Sequence, residues 1–176
     1  AEKRLPQDGG FMLSIGGRSV DFRVSTIPTI YGEKMAIRVL DKEQISFALS
    51  SIGFSDDDLK KVARHIRKPY GLIFVTGPTG SGKTTTLYCI LNELRSPHKN
   101  IITIEDPVEY RLPGVNQVQA FPAIGFDFAK GLRAFLRQDP DIIMVGEVRD
   151  METAEICVRS ALAGRPVLAR RGRPAA

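Results

Sequence analysis

Between residues 10 and 42 apolar side chains recur at every second position. Phe11, Leu13 and Ile15 form one such run, Val20, Phe22 and Val24 a second, and Met35, Ile37 and Val39 a third. Successive side chains of a strand point to opposite faces, so each run predicts a strand with one apolar side. Gly16 and Gly17 mark a turn, and the three runs together predict an antiparallel meander. A different period begins at Ser55. Leu59, Val62, Ala63 and Ile66 fall on one stripe of a helix that Ser55 can cap, and Asp56, Asp57 and Asp58 suit the positive end of its dipole.

Beyond Pro69 the rhythm becomes strand, loop, helix. Short runs rich in β-branched residues lie at 72–76, 101–104 and 141–145, and helical patterns at 83–94, 127–138 and 151–163. This alternation predicts an α/β fold, with a mostly parallel sheet carrying helices on its faces. Such sheets bind ligands at the carboxyl ends of their strands, and every chemical motif of this chain falls there.

Composition narrows the class. The chain has 176 residues, 43% hydrophobic and 26% charged, in the range of a globular protein. Apolar runs such as Leu72–Val75 and Ile142–Val145 are four residues long, against about 20 for a membrane span. No apolar leader follows the start, so nothing argues for export, and the initial Ala points to an N-terminus further upstream. The net charge is +5, but Arg165, Arg170, Arg171 and Arg173 account for most of it and leave +1 for residues 1–164. A nearly neutral body speaks against nucleic acid as the main partner. Cys89 and Cys157 are isolated, as expected of reduced core thiols, and no zinc-like spacing is present.

Gly77-Pro78-Thr79-Gly80-Ser81-Gly82-Lys83-Thr84, followed by Thr85, matches the pattern G-x-x-x-x-G-K-[ST] between a predicted strand and a predicted helix. Its glycines let backbone N–H groups curl around a polyphosphate at a helix N-terminus. Lys83 brings a positive charge to the β- and γ-phosphates, and Thr84 a hydroxyl to Mg²⁺, so ATP and Mg²⁺ are the expected ligands. Two acids, Glu105 and Glu147, follow the predicted strands at 101–104 and 141–145. Between them they could hold the metal and orient a water, with Glu147 assigned beside Thr84 to Mg²⁺. The usual metal-side acid would stand at Gly146.

The blocks LPQDG, RVST, GPTGSGKTTTLY, ITIEDPVEY and LRAFLRQDPDIIMVGEVRDMETAEI resemble the ATPase motors of bacterial type II secretion and type IV pilus assembly. The likeness is collinear from Leu5 to about Leu168 and leans toward secretion and pilus extension. It implies a RecA-like P-loop NTPase core at 49–169, preceded at 1–48 by the end of a small PAS-like domain with an antiparallel sheet. It also implies a hexamer at the cytoplasmic face of the inner membrane, working on secretion or pilus platform proteins. Glu105 would act on the attacking water, and Glu147 matches an atypical metal-side Glu, which makes Gly146 a family trait. Arg23 and Arg38 match arginines that the preceding domain lends to the phosphates, and they join Lys83, Glu105 and Glu147 in the expected catalytic set. Arg133, Arg137 and Arg149 match arginines near the nucleotide or the subunit contact.

The resemblance weakens at the end. The family pattern GHLVLSTLHTN would follow Gly164, whereas this chain reads Arg165-Pro166-Val167-Leu168-Ala169 and then RRGRPAA. The family's His box is missing, residues 170–176 form a tail without likeness, and a chain cut short at both ends is expected. Little or no hydrolysis by this chain alone follows from that. The rival readings are a nucleotide-binding remnant without turnover, a RecA-like motor on nucleic acid, and a conjugation-type secretion ATPase.

Overall fold

The computed structural model describes residues 2–41 and 47–172. The chain divides into two compact units, Ala1–Ser46 and Phe47–Ala176. The expected tail lies partly outside the described residues, at 173–176.

The first unit is the meander that the alternation predicts. Strands β1 (Gln7–Ile15), β2 (Arg18–Thr29) and β3 (Gly32–Asp41) form an antiparallel sheet in that order. The register pairs Phe11 with Phe22 and Phe22 with Val39, which gathers the three apolar runs on one face. The Phe11 and Phe22 rings stack at 5.0 Å, while Leu13, Ile15, Ile37 and Val39 stay about half exposed.

In the second unit a short 3-10 helix, Leu49–Ile52, precedes α1 (Asp56–Ile66). The Ser55 hydroxyl accepts from the Asp58 N–H and caps α1 as its sequence predicts. The chain continues through β4 (Gly71–Gly77), α2 (Lys83–Leu94), β5 (Ile101–Glu105), β6 (Asn116–Gln119), α3 (Phe128–Phe135), β7 (Ile142–Val145), α4 (Met151–Leu162) and β8 (Pro166–Gly172). Strands β4, β8, β7, β5 and β6 lie side by side in that order, and every pairing is parallel.

Two apolar clusters flank this sheet. Ile142, Met144 and Leu168 pack with residues of α1 and α2, whereas the alternate residues Ile143, Val145, Val167 and Ala169 pack with α3 and α4. One pair of helices therefore covers each face, which is why β5, β7 and most of β8 read as continuous apolar runs. Strand β6 escaped the hydrophobic pattern. Its sequence NQVQ is short, mainly polar and at the sheet edge. The strand expected to give way to a tail at residue 170 instead stays paired with β4 as far as Gly172.

Candidate functional site

The turn from β4 into α2 builds a phosphate-sized nest. Gly77, Gly80 and Gly82 have φ of 152°, 79° and 79°, values that a side chain would strain. A Cβ on Gly77 would also lie 2.7 Å from Ser81 Oγ. Ser81 closes the turn by donating its hydroxyl to Pro78 O at 2.8 Å. Gly82 occupies the N-cap of α2, which has no side-chain cap, so the first N–H groups of the helix are left to a ligand. The Lys83 Nζ donates to Gly77 O at 2.9 Å and Pro78 O at 2.5 Å, folded back over its own loop.

A cavity of about 490 Å³ opens on this turn. Thr79, Gly80, Gly82, Lys83, Thr84 and Thr85 line it from the loop and helix, and Glu147 from the segment just after β7. Gly77, Pro78 and Ser81 shape the turn behind them. The cavity also takes in Glu109, Tyr110, Arg170 and Gly172, none of which the motif spacing singled out. Glu109 lies inside the acidic block after β5, so its position carried a signal. Arg170 carried none, because the sequence around it reads as a tail.

Glu105 is placed differently from Glu147. It is 3% exposed and accepts hydrogen bonds from the Tyr88 hydroxyl, Thr103 Oγ1 at 2.7 Å and Gln117 Nε2 at 3.1 Å. An ionised carboxylate has about four acceptor sites, so three donors nearly saturate it. Its remaining opening faces a cavity of about 10 Å³, shared with Thr84, Glu109, Gly146 and Arg170. Tyr88 holds this corner together, because its oxygen also accepts the N–H groups of Glu109 and Tyr110 at 3.2 and 3.4 Å. Burial, then the Glu105 charge, then the hydrogen bond to it push the Tyr88 phenol far above its ordinary range.

Gly146 is explained by close approach. Its N–H donates to Ile104 O at 2.7 Å, and a Cβ there would meet that oxygen at 2.9 Å and Glu105 Cα at 3.0 Å. An acid at this position would collide with β5.

The arginines fall into three places. Arg149 pairs with Glu147 at 2.7 Å and with Asp106 at 3.6 Å, beside the cavity. Arg133 pairs with Glu152 and so joins α3 to α4, Arg137 donates to Arg133 O at 3.2 Å and so caps α3, and neither lines the cavity. Arg23 and Arg38 are direct cross-strand neighbours of β2 and β3 in the first unit, on the face opposite Phe22 and Val39.

Thr84 and Glu147, the two residues expected at Mg²⁺, both line the cavity. A divalent cation needs a free oxygen lone pair on each at close range. The Thr84 oxygen, however, accepts from Arg170 Nη1, and one Glu147 oxygen accepts from Arg149 Nε. Among the described residues no group of three acidic, His or Cys side chains is arranged to hold a metal. Each of the two bonds with arginine uses one lone pair, while a hydroxyl has two and a carboxylate about four, so Thr84 and Glu147 keep acceptor sites with which they would hold Mg²⁺ beside a phosphate.

Strand, glycine-rich turn and helix at the carboxyl edge of a parallel sheet define a P-loop α/β protein with a RecA-like core, carrying an antiparallel sheet ahead of it. The chain belongs to the Type II/IV secretion system protein family, which matches residues 1–170. It is 54% identical over 168 residues to the type II secretion system protein E of Xanthomonas campestris, an alignment covering 96% of this chain and 30% of that protein. The type II secretion system ATPase E of Vibrio cholerae is 52% identical over 168 residues, 96% of this chain and 33% of its own length. The crystal structure of the pilus retraction motor PilT with bound ADP superposes with a TM-score of 0.79 at 35% identity, covering 97% of this chain and 48% of PilT. The chain thus spans about a third of the length of these curated relatives. No described helix is long and apolar enough to cross a membrane.

Proposed function

We propose that this chain binds the phosphates of ATP in the cavity at the start of α2, as the nucleotide-binding part of a motor for type II secretion or type IV pilus assembly. The observation that carries this reading is the open nest of Gly80, Gly82 and the uncapped α2 N-terminus, with Lys83 within reach of an entering phosphate. Family membership and the ADP bound to PilT support it. An incoming phosphate draws the Lys83 ammonium off the Gly77 and Pro78 carbonyls, because a doubly charged oxyanion is the stronger acceptor.

In this reading Glu147 and Glu109 are the carboxylates with access to a water in the cavity. Glu105 fixes the end of β5 and the segment after it, through Tyr88 and Gln117, rather than meeting bulk water. Arg23 and Arg38 are the arginines proposed for the phosphates, and Arg133, Arg137 and Arg149 those proposed for the neighbourhood of the nucleotide or a subunit contact. The motor works as a hexamer on the cytoplasmic side of the inner membrane, against platform proteins of the secretion or pilus machinery. The charge of +1 over residues 1–164 supports a protein-export role over one on nucleic acid.

Calorimetric titration of ATP into the purified chain tests the reading, with Lys83→Ala as control and phosphate release followed on the same sample. Heat of binding that disappears in Lys83→Ala is expected. No heat with a chain shown folded by circular dichroism would sink the reading.

A further inference from the structure

Among the described residues, two cations and two carboxylates line the cavity over the glycine-rich turn: Lys83, Arg170, Glu109 and Glu147. Lys83 belongs to the motif, whereas Arg170 comes from β8. Arg170 pairs with Val75 of β4, just before Gly77 opens the turn, and lies one residue past the last β7–β8 pair. Its carbonyl accepts from the Val148 N–H at 2.9 Å, which fixes its backbone at the carboxyl end of the sheet. From there its Nη1 donates to the Thr84 hydroxyl oxygen in the first turn of α2. A guanidinium carries five N–H donors in a rigid plane, and that bond uses one of them. Arg149, by contrast, is taken up by Glu147 and Asp106.

We propose that Arg170 binds the terminal phosphate of a nucleoside triphosphate and thereby sets a preference for ATP over ADP. The inference rests on the nucleotide reading above and deepens it. Placement is its first support. The hydroxyl of a P-loop threonine faces the metal that bridges the β- and γ-phosphates, so a group bonded to the Thr84 oxygen borders the outer end of the polyphosphate. Arg170 also lines the smaller cavity shared by Glu105 and Glu109, which puts it on the acidic side of the turn.

Charge is the second support. A diphosphate seated in the nest meets the helix N-terminus and Lys83. The third phosphate adds negative charge to a cavity that already holds Glu109 and Glu147. Without Arg170, that charge would meet two lining carboxylates and one ammonium. A guanidinium answers it directly, because it bonds phosphate oxygens in pairs and does not lose its proton.

Titration calorimetry of ATP and of ADP into the 176-residue chain, both with Mg²⁺ at matched ionic strength, reads the ratio of the two affinities. The wild-type chain is expected to bind ATP about tenfold more tightly than ADP, the scale of one hydrogen bond to a charged group. Arg170→Met keeps the aliphatic stem and removes the charge. It should bring ATP affinity down to near that for ADP and leave ADP binding close to wild type. Arg170→Gln, neutral and polar, is the second variant and carries the same expectation where Arg170→Met fails to fold. A wild-type chain that binds ADP as tightly as ATP overturns the inference and leaves the nucleotide site in place. A folded variant that keeps the wild-type ratio does the same, since a merely structural role would weaken both nucleotides alike. No binding of either nucleotide by the wild-type chain removes the nucleotide reading, and this inference with it.

Discussion

Tyr88 of α2 donates its hydroxyl hydrogen to the Glu105 carboxylate at the end of β5, and both side chains are buried. The same hydroxyl oxygen receives two backbone N–H groups from the segment after β5. One phenol therefore ties the phosphate-binding helix, the acidic strand end and the following loop into a single unit.

Removing that hydroxyl in Tyr88→Phe leaves Glu105 with Thr103 and Gln117 and strips the Glu109 and Tyr110 N–H groups of their acceptor. A loss of about 1–3 kcal/mol in unfolding free energy is expected, the range for buried groups left without a partner. The pH dependence is distinctive. The folded pKa of Tyr88 is raised above its ordinary 10.0, chiefly by burial, so the fold favours the neutral phenol. Its contribution is full below that ordinary value and is lost as pH rises through and beyond it. Urea midpoints across the alkaline range should fall for the wild type and fall less steeply for Tyr88→Phe. Equal slopes would contradict the account.

Gly146 permits β7 to lie against the backbone of Glu105. Gly146→Ala should cost about 1–3 kcal/mol, because the atoms it meets are backbone and cannot rotate away. Gly146→Asp, which restores the acid usual in other P-loop proteins, should be worse. Thermal unfolding decides it, and a Gly146→Asp chain of undiminished stability would refute the close-approach explanation.

Gly131 of α3 makes a different kind of contact. A Cβ there would lie 2.1 Å from Ile104 Cδ1, the tip of a fully buried side chain. Gly131→Ala should destabilise by about 1–3 kcal/mol as an overpacked core position. Ile104→Val removes that Cδ1 and should recover part of the loss, giving a coupling of about 0.5–2 kcal/mol in a double-mutant cycle. Strict additivity would show that the clash is relieved elsewhere.

Cys89 and Cys157 are both free and buried, and burial holds the Cys157 thiol up at about 11. The reactive form is the thiolate, so neither should react with a disulfide reagent near neutral pH while the chain is folded. Both should react on denaturation. Rapid labelling of one thiol in the native chain would mean that its helix opens. Stability linked to Cys157 is full below its ordinary 9.0 and is lost above it, the same sign as for Tyr88.

The Arg133–Glu152 pair joins α3 to α4, but 48% and 61% of the two side chains are exposed. Solvent screens such pairs, so Arg133→Ala should change stability by less than about 1 kcal/mol. A much larger loss by urea titration would show that the pair braces the two helices.

Much of this fold was written in local sequence. Period two set the three-stranded sheet, the capping Ser55 set the start of α1, and the glycine pattern before Lys83 set both the nest and the first residue of α2. These features depend on residues within a few positions of one another, which is where backbone preference and hydrophobic period act. The polar edge strand β6 lies outside that reach, since only its parallel pairing with β5 makes it a strand.

The chemistry of the site was decided at longer range. Lys83 and Thr84 could be assigned from their motif, but the sequence gives no hint that Glu105 is saturated by Tyr88, 17 residues away, and Gln117, 12 away. Arg170 is 86 residues from Thr84 and looks like part of a basic tail, yet parallel pairing of β8 between β4 and β7 carries it to the Thr84 hydroxyl. Local sequence determined which groups could hold a phosphate. The sheet order decided which charges surround it, because parallel strands bring all their carboxyl ends to one edge however far apart they lie in the chain.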